Sequence, residues 1–325
     1  MDCHLSCGWQ YDWLRNIYAA TLCVFENEEK QSIPMSTYQS EYGEIKSLLV
    51  KHPKDAFINQ KKVDDQWEDL FFSAKPDLNK TLDEYDAFLD IFISNGIEIH
   101  TLAANSKTGL DSIYVRDASI ATNDGMIICN MGKAARSDEP NSQRSFYDSI
   151  GIPVRAIIEG EATVEGGDVA WIDESTLAIA WGYRTNKEGI DKVKEVLKNS
   201  AEEVLVVPSP HYKGPSDVFH LMSVYSPIDK DLAVVYSPLM SVPFRQELLR
   251  RGVQLVEVPE EEFDSLGCNV LAIAPRVCVM TLGNPITQSR IEKVGAEVIT
   301  YSGTEISLKG NGGPTCLTRP LLRSN

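Results

Sequence analysis

The chain has 325 residues, 43% of them hydrophobic and 24% charged, enough apolar material for a large core and too balanced for intrinsic disorder. A formal net charge of −16 argues against a nucleic-acid backbone or an anionic membrane as the main partner and favours the approach of a cationic small molecule. No window approaches 18 uninterrupted apolar residues, so no segment reads as a membrane span.

Residues 1–38 differ in character from the rest and read as a loosely attached, poorly ordered extension; 39–325 read as one catalytic domain. The apolar run Ile17–Phe25 follows Asp2 and Asp12 and precedes Glu26, Glu28 and Glu29, without the basic start or small-residue cleavage site of a signal peptide. Met35 opens the domain proper and is a candidate alternative start. Seven cysteines at irregular spacing (3, 7, 23, 129, 268, 278 and 316) suit a reduced, cytoplasmic protein rather than a disulfide framework. Cys3-His4-Leu5-Ser6-Cys7 has no second ligand pair downstream, so no metal site is expected there.

From Gly96 onward the chain repeats. Gly96–Leu102, Gly151–Ile157, Glu202–Pro208, Gly252–Pro259 and Gly295–Tyr301 are strand patterns that start 55, 51, 50 and 43 residues apart. A helical pattern precedes each; over Asn186–Asn199, Ile190, Val193, Val196 and Leu197 keep helix spacing. Before the helices lie paired strands: Val169–Ile172 with Thr176–Trp181, Met222–Tyr225 with Leu232–Tyr236, and Val270–Ala274 with Val277–Leu282. The unit is strand, strand, helix, strand, repeated about five times, which implies modules that bury their faces on one another. The acidic run Glu260-Glu261-Glu262 reads as a solvated loop.

Polar residues recur at one phase, just ahead of each hairpin: Asp117, Glu165 with Asp168, His220, Asn269 and Cys316. Modules set around an axis would bring these positions together. A thiol needs a cation or base to become a nucleophilic thiolate at neutral pH, and His220 can serve, then protonate a departing amine. Glu165 can hold the imidazole in orientation. Asp111 and Asp117 can grip a planar cation by charge-assisted hydrogen bonds. Gly310, Gly312 and Gly313 would allow backbone to approach a ligand closely. The bland alternatives are a structural thiol for Cys316 and a core histidine for His220, with His211 in reserve. Cys129, Cys268 and Cys278 lie in or beside apolar runs and read as structural.

At these residues the sequence resembles the guanidine-modifying (pentein) superfamily, and within it the dimethylarginine dimethylaminohydrolase and amidinotransferase-like proteins. The resemblance rests on LDSIYVRD at 110–117, VEGGDV at 164–169, YRTN at 183–186, FHL at 219–221 and GGPTCLTRPLLR at 312–323, and runs from about Gly43 to Arg323. It implies an α/β fold, a five-bladed propeller of ββαβ modules, with Cys316 as nucleophile, His220 as general acid and base, and Glu165 as its partner. It places Asp111 and Asp117 around a guanidinium, Arg136 and Arg184 at the substrate's α-carboxylate, and Asp168 as a further contact or structural anchor. Arginine deiminases and glycine amidinotransferases carry an aspartate two residues after the catalytic histidine, where this chain has Met222. That departure favours a substrate with an altered guanidinium end. The expectation is a dimethylargininase-like hydrolase of a small cationic arginine derivative, without cofactor or metal, working through an S-alkylthiouronium on Cys316. Amidinotransferase, arginine deiminase or dihydrolase activities are the alternatives. A non-catalytic propeller protein would lack the nucleophile, base and carboxylate set. A homo-oligomer is compatible with all of them.

Overall fold

A computed structural model of the chain describes residues 39–216 and 219–324. The expected extension at 1–38, with its Cys3–Cys7 segment, lies outside the described residues. Strands β1 (Glu44–Val50), β2 (Glu98–Thr101), β3 (Ser119–Thr122), β4 (Gly125–Ile128), β5 (Val154–Ile157), β6 (Val169–Trp171), β7 (Thr176–Trp181) and β8 (Glu203–Pro208) fill the first half. Strands β9 (Tyr225–Asp229), β10 (Leu232–Val235), β11 (Gln254–Glu257), β12 (Leu271–Ala274), β13 (Val277–Thr281), β14 (Glu297–Tyr301) and β15 (Arg319–Ser324) fill the second. Helices α1 (Leu78–Ser94), α2 (Glu139–Ile150), α3 (Lys187–Leu197), α4 (Val242–Arg250) and α5 (Pro285–Lys293) each lead into the third strand of a sheet.

Among the described residues the strands form five three-stranded sheets. In four of them an antiparallel hairpin is followed by a helix and a parallel third strand: β3-β4-β5, β6-β7-β8, β9-β10-β11 and β12-β13-β14. In the fifth, β15 pairs antiparallel with β1 and β1 runs parallel to β2, so the C-terminal strand completes the N-terminal blade. This is the five-module propeller-like fold that the repeat predicts.

Local chemistry explains the modules. Asn186 caps α3 by accepting from the Gly189 N–H (2.8 Å), and Ile190, Val193 and Leu197 pack with Trp171, Leu177 and Ile179. Full burial of such side chains stabilises by about 1.5–3 kcal/mol each. Gly96, Gly151, Gly252 and Gly295 have φ of 72–84°, the left-handed exit by which four helices turn into their closing strands. That requirement put the glycine lead-in into the repeat.

Two expectations change. The hairpin predicted to start at Met222 starts at Tyr225, because Leu221–Ser223 form a 3₁₀ turn in which Ser223 Oγ accepts from the His220 N–H (3.1 Å). The acidic run is not wholly solvated either. Glu262 is buried and accepts from Ile286 and Thr287 N–H groups (both 2.7 Å), satisfying the first turn of α5.

Candidate active site

The segments leading into the first strand of each blade are stitched to one another. Arg116 N donates to Cys316 O (3.1 Å) and Gly166 N to Asp117 O (2.8 Å). Leu221 N donates to Asp168 Oδ1 (3.2 Å), Ser226 Oγ to Cys268 O (2.7 Å), and Thr315 N to Asn269 Oδ1 (3.1 Å). Five segments up to 200 residues apart thus close into one ring of polar contacts, which is why the polar residues share one phase in the sequence.

Within the ring, His220 Nε2 lies 2.8 Å from Glu165 Oε2, and both residues are buried. Glu165 Oε1 also accepts from the Lys133 N–H (3.0 Å), and Arg184 Nη1 reaches its two oxygens at 3.3 and 3.5 Å. Burial alone would raise the Glu165 pKa, but His220 and Arg184 overcome it and hold the carboxyl below its usual range. For His220, burial opposes protonation, yet Asp117, Asp168 and Glu165 raise its pKa to about 9, so the ring is an imidazolium at neutral pH. Its Nδ1 faces Asp117 Oδ1 at 4.0 Å. Position 167 has to be glycine, since a Cβ there would come within 2.7 Å of both Asp117 Oδ1 and His220 Nδ1.

Cys316 is half-buried, with Asn269 Nδ2 3.4 Å and Thr315 Oγ1 3.8 Å from Sγ. Burial, then Asp117, push its thiol pKa up, so without a bound cation the group is a neutral thiol. The other described cysteines, Cys129, Cys268 and Cys278, are buried, and burial raises their pKa as well. Gly310 and Gly312 make room for protein rather than ligand: a Cβ at either would strike the Tyr114 ring or hydroxyl. Tyr114 then donates to Ile306 O (3.1 Å) and fixes the loop ahead of Cys316.

The sequence-predicted binding residues come together but are already paired. Asp117 Oδ2 accepts from Arg136 Nη1 (2.5 Å) and Oδ1 from the Gly167 N–H (3.0 Å). Arg136 is buried and also donates to both Glu139 oxygens and to Tyr114 O, so in this conformation it holds Asp117 in place. Asp111 Oδ2 accepts from Lys133 Nζ (2.6 Å), which also donates to Leu70 O (2.9 Å). Lys133 and Glu139 escape the sequence reading because no pattern marks them. Asp168 accepts from Thr185 Oγ1 (2.7 Å) and Leu221 N and reads as a structural anchor; burial raises its pKa to about 6. His211 bonds Tyr183 (2.6 Å) at an exposed position, and neither lobe of the site is lined by it. Asp117, Glu165 and His220 bring potential ligand atoms within 4.8 Å of one another, where Glu165 already accepts from Lys133, Arg184 and His220 and Asp117 from Arg136 and Gly167.

Two lobes meet at His220, Asn311 and Cys316. The narrow lobe, about 20 Å³, is charged and lined by Asp111, Asp117, Lys133, Arg136 and Arg184. The wide one, about 300 Å³, is lined by Tyr212, Phe219, Met222 and Phe263, with Asp264 and Lys213 also at its wall. Phe263 stacks on Tyr236 at 3.9 Å, and Tyr212 meets Phe219 and Phe263 edge-on or tilted at 5.9 and 6.1 Å, so the apolar wall is pre-packed.

A propeller of ββαβ blades with a Cys–His–Glu set and paired aspartates at its centre defines a guanidine-modifying enzyme of the pentein superfamily. The family model "N,N dimethylarginine dimethylhydrolase, eukaryotic" matches residues 52–323, and the chain belongs to that family. It is a C–N hydrolase acting on guanidino groups. The uncharacterized protein YkgA of Bacillus subtilis is 26% identical over 297 residues, covering 90% of this chain and 98% of that one. An arginine deiminase of Mycobacterium marinum is 28% identical over 247 residues, covering 65% of this chain; the chain spans only 60% of that enzyme. Among solved structures, a mutant DDAH from Pseudomonas aeruginosa complexed with citrulline superposes with a TM-score of 0.70 at 24% identity, covering 86% of this chain and all of that one. Among the described residues no helix is long and apolar enough to cross a membrane.

Proposed function

We propose that the protein hydrolyses an arginine derivative substituted on its guanidinium, with Cys316 as nucleophile, His220 as proton donor and acceptor, and Glu165 as the residue that orients His220. The observation that carries this reading is the buried His220 Nε2–Glu165 Oε2 contact of 2.8 Å, with His220 and Cys316 lining the same two lobes.

A guanidinium entering between Cys316 and Asp117 supplies the positive charge that favours the thiolate, and the thiol proton leaves to solvent. The sulfur adds to the guanidinium carbon, forming a C–S bond. His220, whose Nε2 proton is engaged by Glu165, delivers its Nδ1 proton to the departing nitrogen, and the C–N bond breaks. A covalent S-alkylthiouronium remains on Cys316. Water then adds to the same carbon as neutral His220 takes one of its protons; the C–S bond breaks as the remaining hydroxyl proton leaves to solvent, and a ureido product and thiolate are released. Splitting the hydrolysis in two lowers the barrier at a resonance-stabilised carbon.

The two lobes divide the substrate. Arg184, which lines the narrow lobe, is assigned to the substrate carboxylate, while Arg136 beside it keeps its hold on Asp117. The wide lobe receives the substituted nitrogen, where Met222 and the aromatic wall suit alkyl groups better than a bare NH₂. A reducing, cytoplasmic setting belongs to the same reading, since the nucleophile must stay a free thiol. The test is a product screen with arginine, methylated arginines, agmatine and succinylarginine, assaying ammonia, alkylamine, citrulline and ornithine separately. Alkylamine with citrulline supports the reading; ammonia from unsubstituted arginine as the best reaction overturns it.

A further inference from the structure

A second polar cavity lies among the leading strands β3, β6 and β15, away from the thiol. It is about 10 Å³, on the order of what a single water-sized species needs, and its wall includes Glu41, Arg116, Gly166, Trp171, Arg319 and Arg323. All three arginines are at least nine-tenths buried, with exposures of 1%, 4% and 3%. Arg116 Nη2 donates to Glu41 Oε2 (2.5 Å), Arg319 Nη2 to Arg116 O (2.5 Å), and Arg323 Nη1 to Gly43 O (2.6 Å) and Ala272 O (2.9 Å). Among the described residues, that leaves Arg116 Nε and Nη1, Arg319 Nε, and Arg323 Nε and Nη2 without hydrogen-bond partners.

The charge is as unbalanced as the hydrogen bonding. Among the groups acting on Arg319 and Arg323, Glu41 is the one carboxylate against three guanidiniums; Tyr147 and Cys129 also face Arg319 and are neutral at pH 7. Burial, reinforced by the neighbouring guanidiniums, lowers Arg319 to about 10 and Arg323 to about 9. Arginine does not discharge in proteins, so the cost has to be met by a counter-charge. Five donor nitrogens on three residues that line one small space suit an acceptor-only species better than water, which must also place two protons.

We propose that this cavity is a structural anion site that takes a monovalent, chloride-sized ion on Arg116, Arg319 and Arg323, with Glu41 as the one opposing carboxylate. The ion offsets part of the buried positive charge and ties β15, the strand that completes the propeller, to the Arg116 segment and to β12 through Ala272.

The experiment uses the full chain and needs no substrate, so it stands apart from the catalytic reading. Thermal unfolding is followed at fixed ionic strength while sodium gluconate is replaced by sodium chloride or bromide. Linkage predicts that Tm rises by about 2–4 °C per tenfold halide above the Kd. Arg319→Met should abolish that rise, and a bromide-soaked crystal of the wild type should show an anomalous peak among the three guanidiniums. Coincident gluconate and chloride curves, a halide effect that persists in Arg319→Met, or water in place of the peak overturns the proposal. Should Arg319→Met fail to fold, the wild-type bromide peak decides.

Discussion

Lys133 Nζ sits 2.6 Å from Asp111 Oδ2 and 2.9 Å from Leu70 O, so the chain places an ammonium of its own on a carboxylate that the motif pairs with a substrate cation. A substrate with a cationic end must displace Lys133, whereas one with a neutral or anionic end can leave it in place. Lys133→Met keeps an unbranched apolar side chain and removes the ammonium, which lies 5.7 Å from the Phe71 ring centroid. kcat/KM for a methylated arginine should then rise about tenfold, because its guanidinium no longer competes with Lys133 for Asp111, the worth of one charge-assisted hydrogen bond. An unchanged kcat/KM would remove Lys133 from substrate selection.

The imidazolium of His220 has a pH signature. Its folded pKa of about 9 lies above the ordinary 6.5, so its contribution to stability is full below pH 6.5 and is lost as pH rises through 9. Over the same rise kcat/KM should fall, because the proton owed to the leaving nitrogen is gone. Glu165→Gln should lower the His220 pKa and move both limbs to lower pH, followed by the His220 ring resonance in NMR and by the rate profile. Limbs that stay put in Glu165→Gln would make Glu165 structural only.

The wide lobe sets a preference in the leaving amine. At about 30 Å³ per small molecule-sized unit of liquid volume, dimethylamine's three heavy atoms fill on the order of a third of about 300 Å³. In a series of Nω-alkyl arginines, kcat/KM should hold or rise from methyl to butyl. Phe263→Ala should cost the butyl substrate more than the methyl one. A steep fall beyond methyl would show that the lobe takes no substituent.

Glu262→Ala should cost about 0.5–2 kcal/mol, because Ile286 and Thr287 N–H groups at the start of α5 lose their acceptor. Turnover should be unaffected once the protein is folded. Chemical denaturation alongside a rate assay separates the two.

Much of this was legible in the sequence, for reasons that can be named. Closing strands showed because helices leave through left-handed Gly96, Gly151, Gly252 and Gly295, and the site showed because each blade contributes its polar residue at one phase. What stayed hidden depends on contacts across blades. Nothing local to Lys133 announces Asp111, nothing in a run of three glutamates singles out Glu262 as a helix cap, and Gly310 and Gly312 answer to Tyr114. The motif assigns Asp111 and Arg136 to the substrate, and the bonds that Asp111 makes to Lys133 and Arg136 to Asp117, Glu139 and Tyr114 O carry no local sequence signal.

The account stands or falls on the bond formed at Cys316. Rapid-quench mass spectrometry of the wild type with a methylated arginine should find the Cys316 peptide heavier by the substrate minus its leaving amine, and Cys316→Ser should show neither adduct nor turnover while keeping its Tm. Turnover by Cys316→Ser within tenfold of wild type, with no adduct on the wild-type peptide, would contradict it.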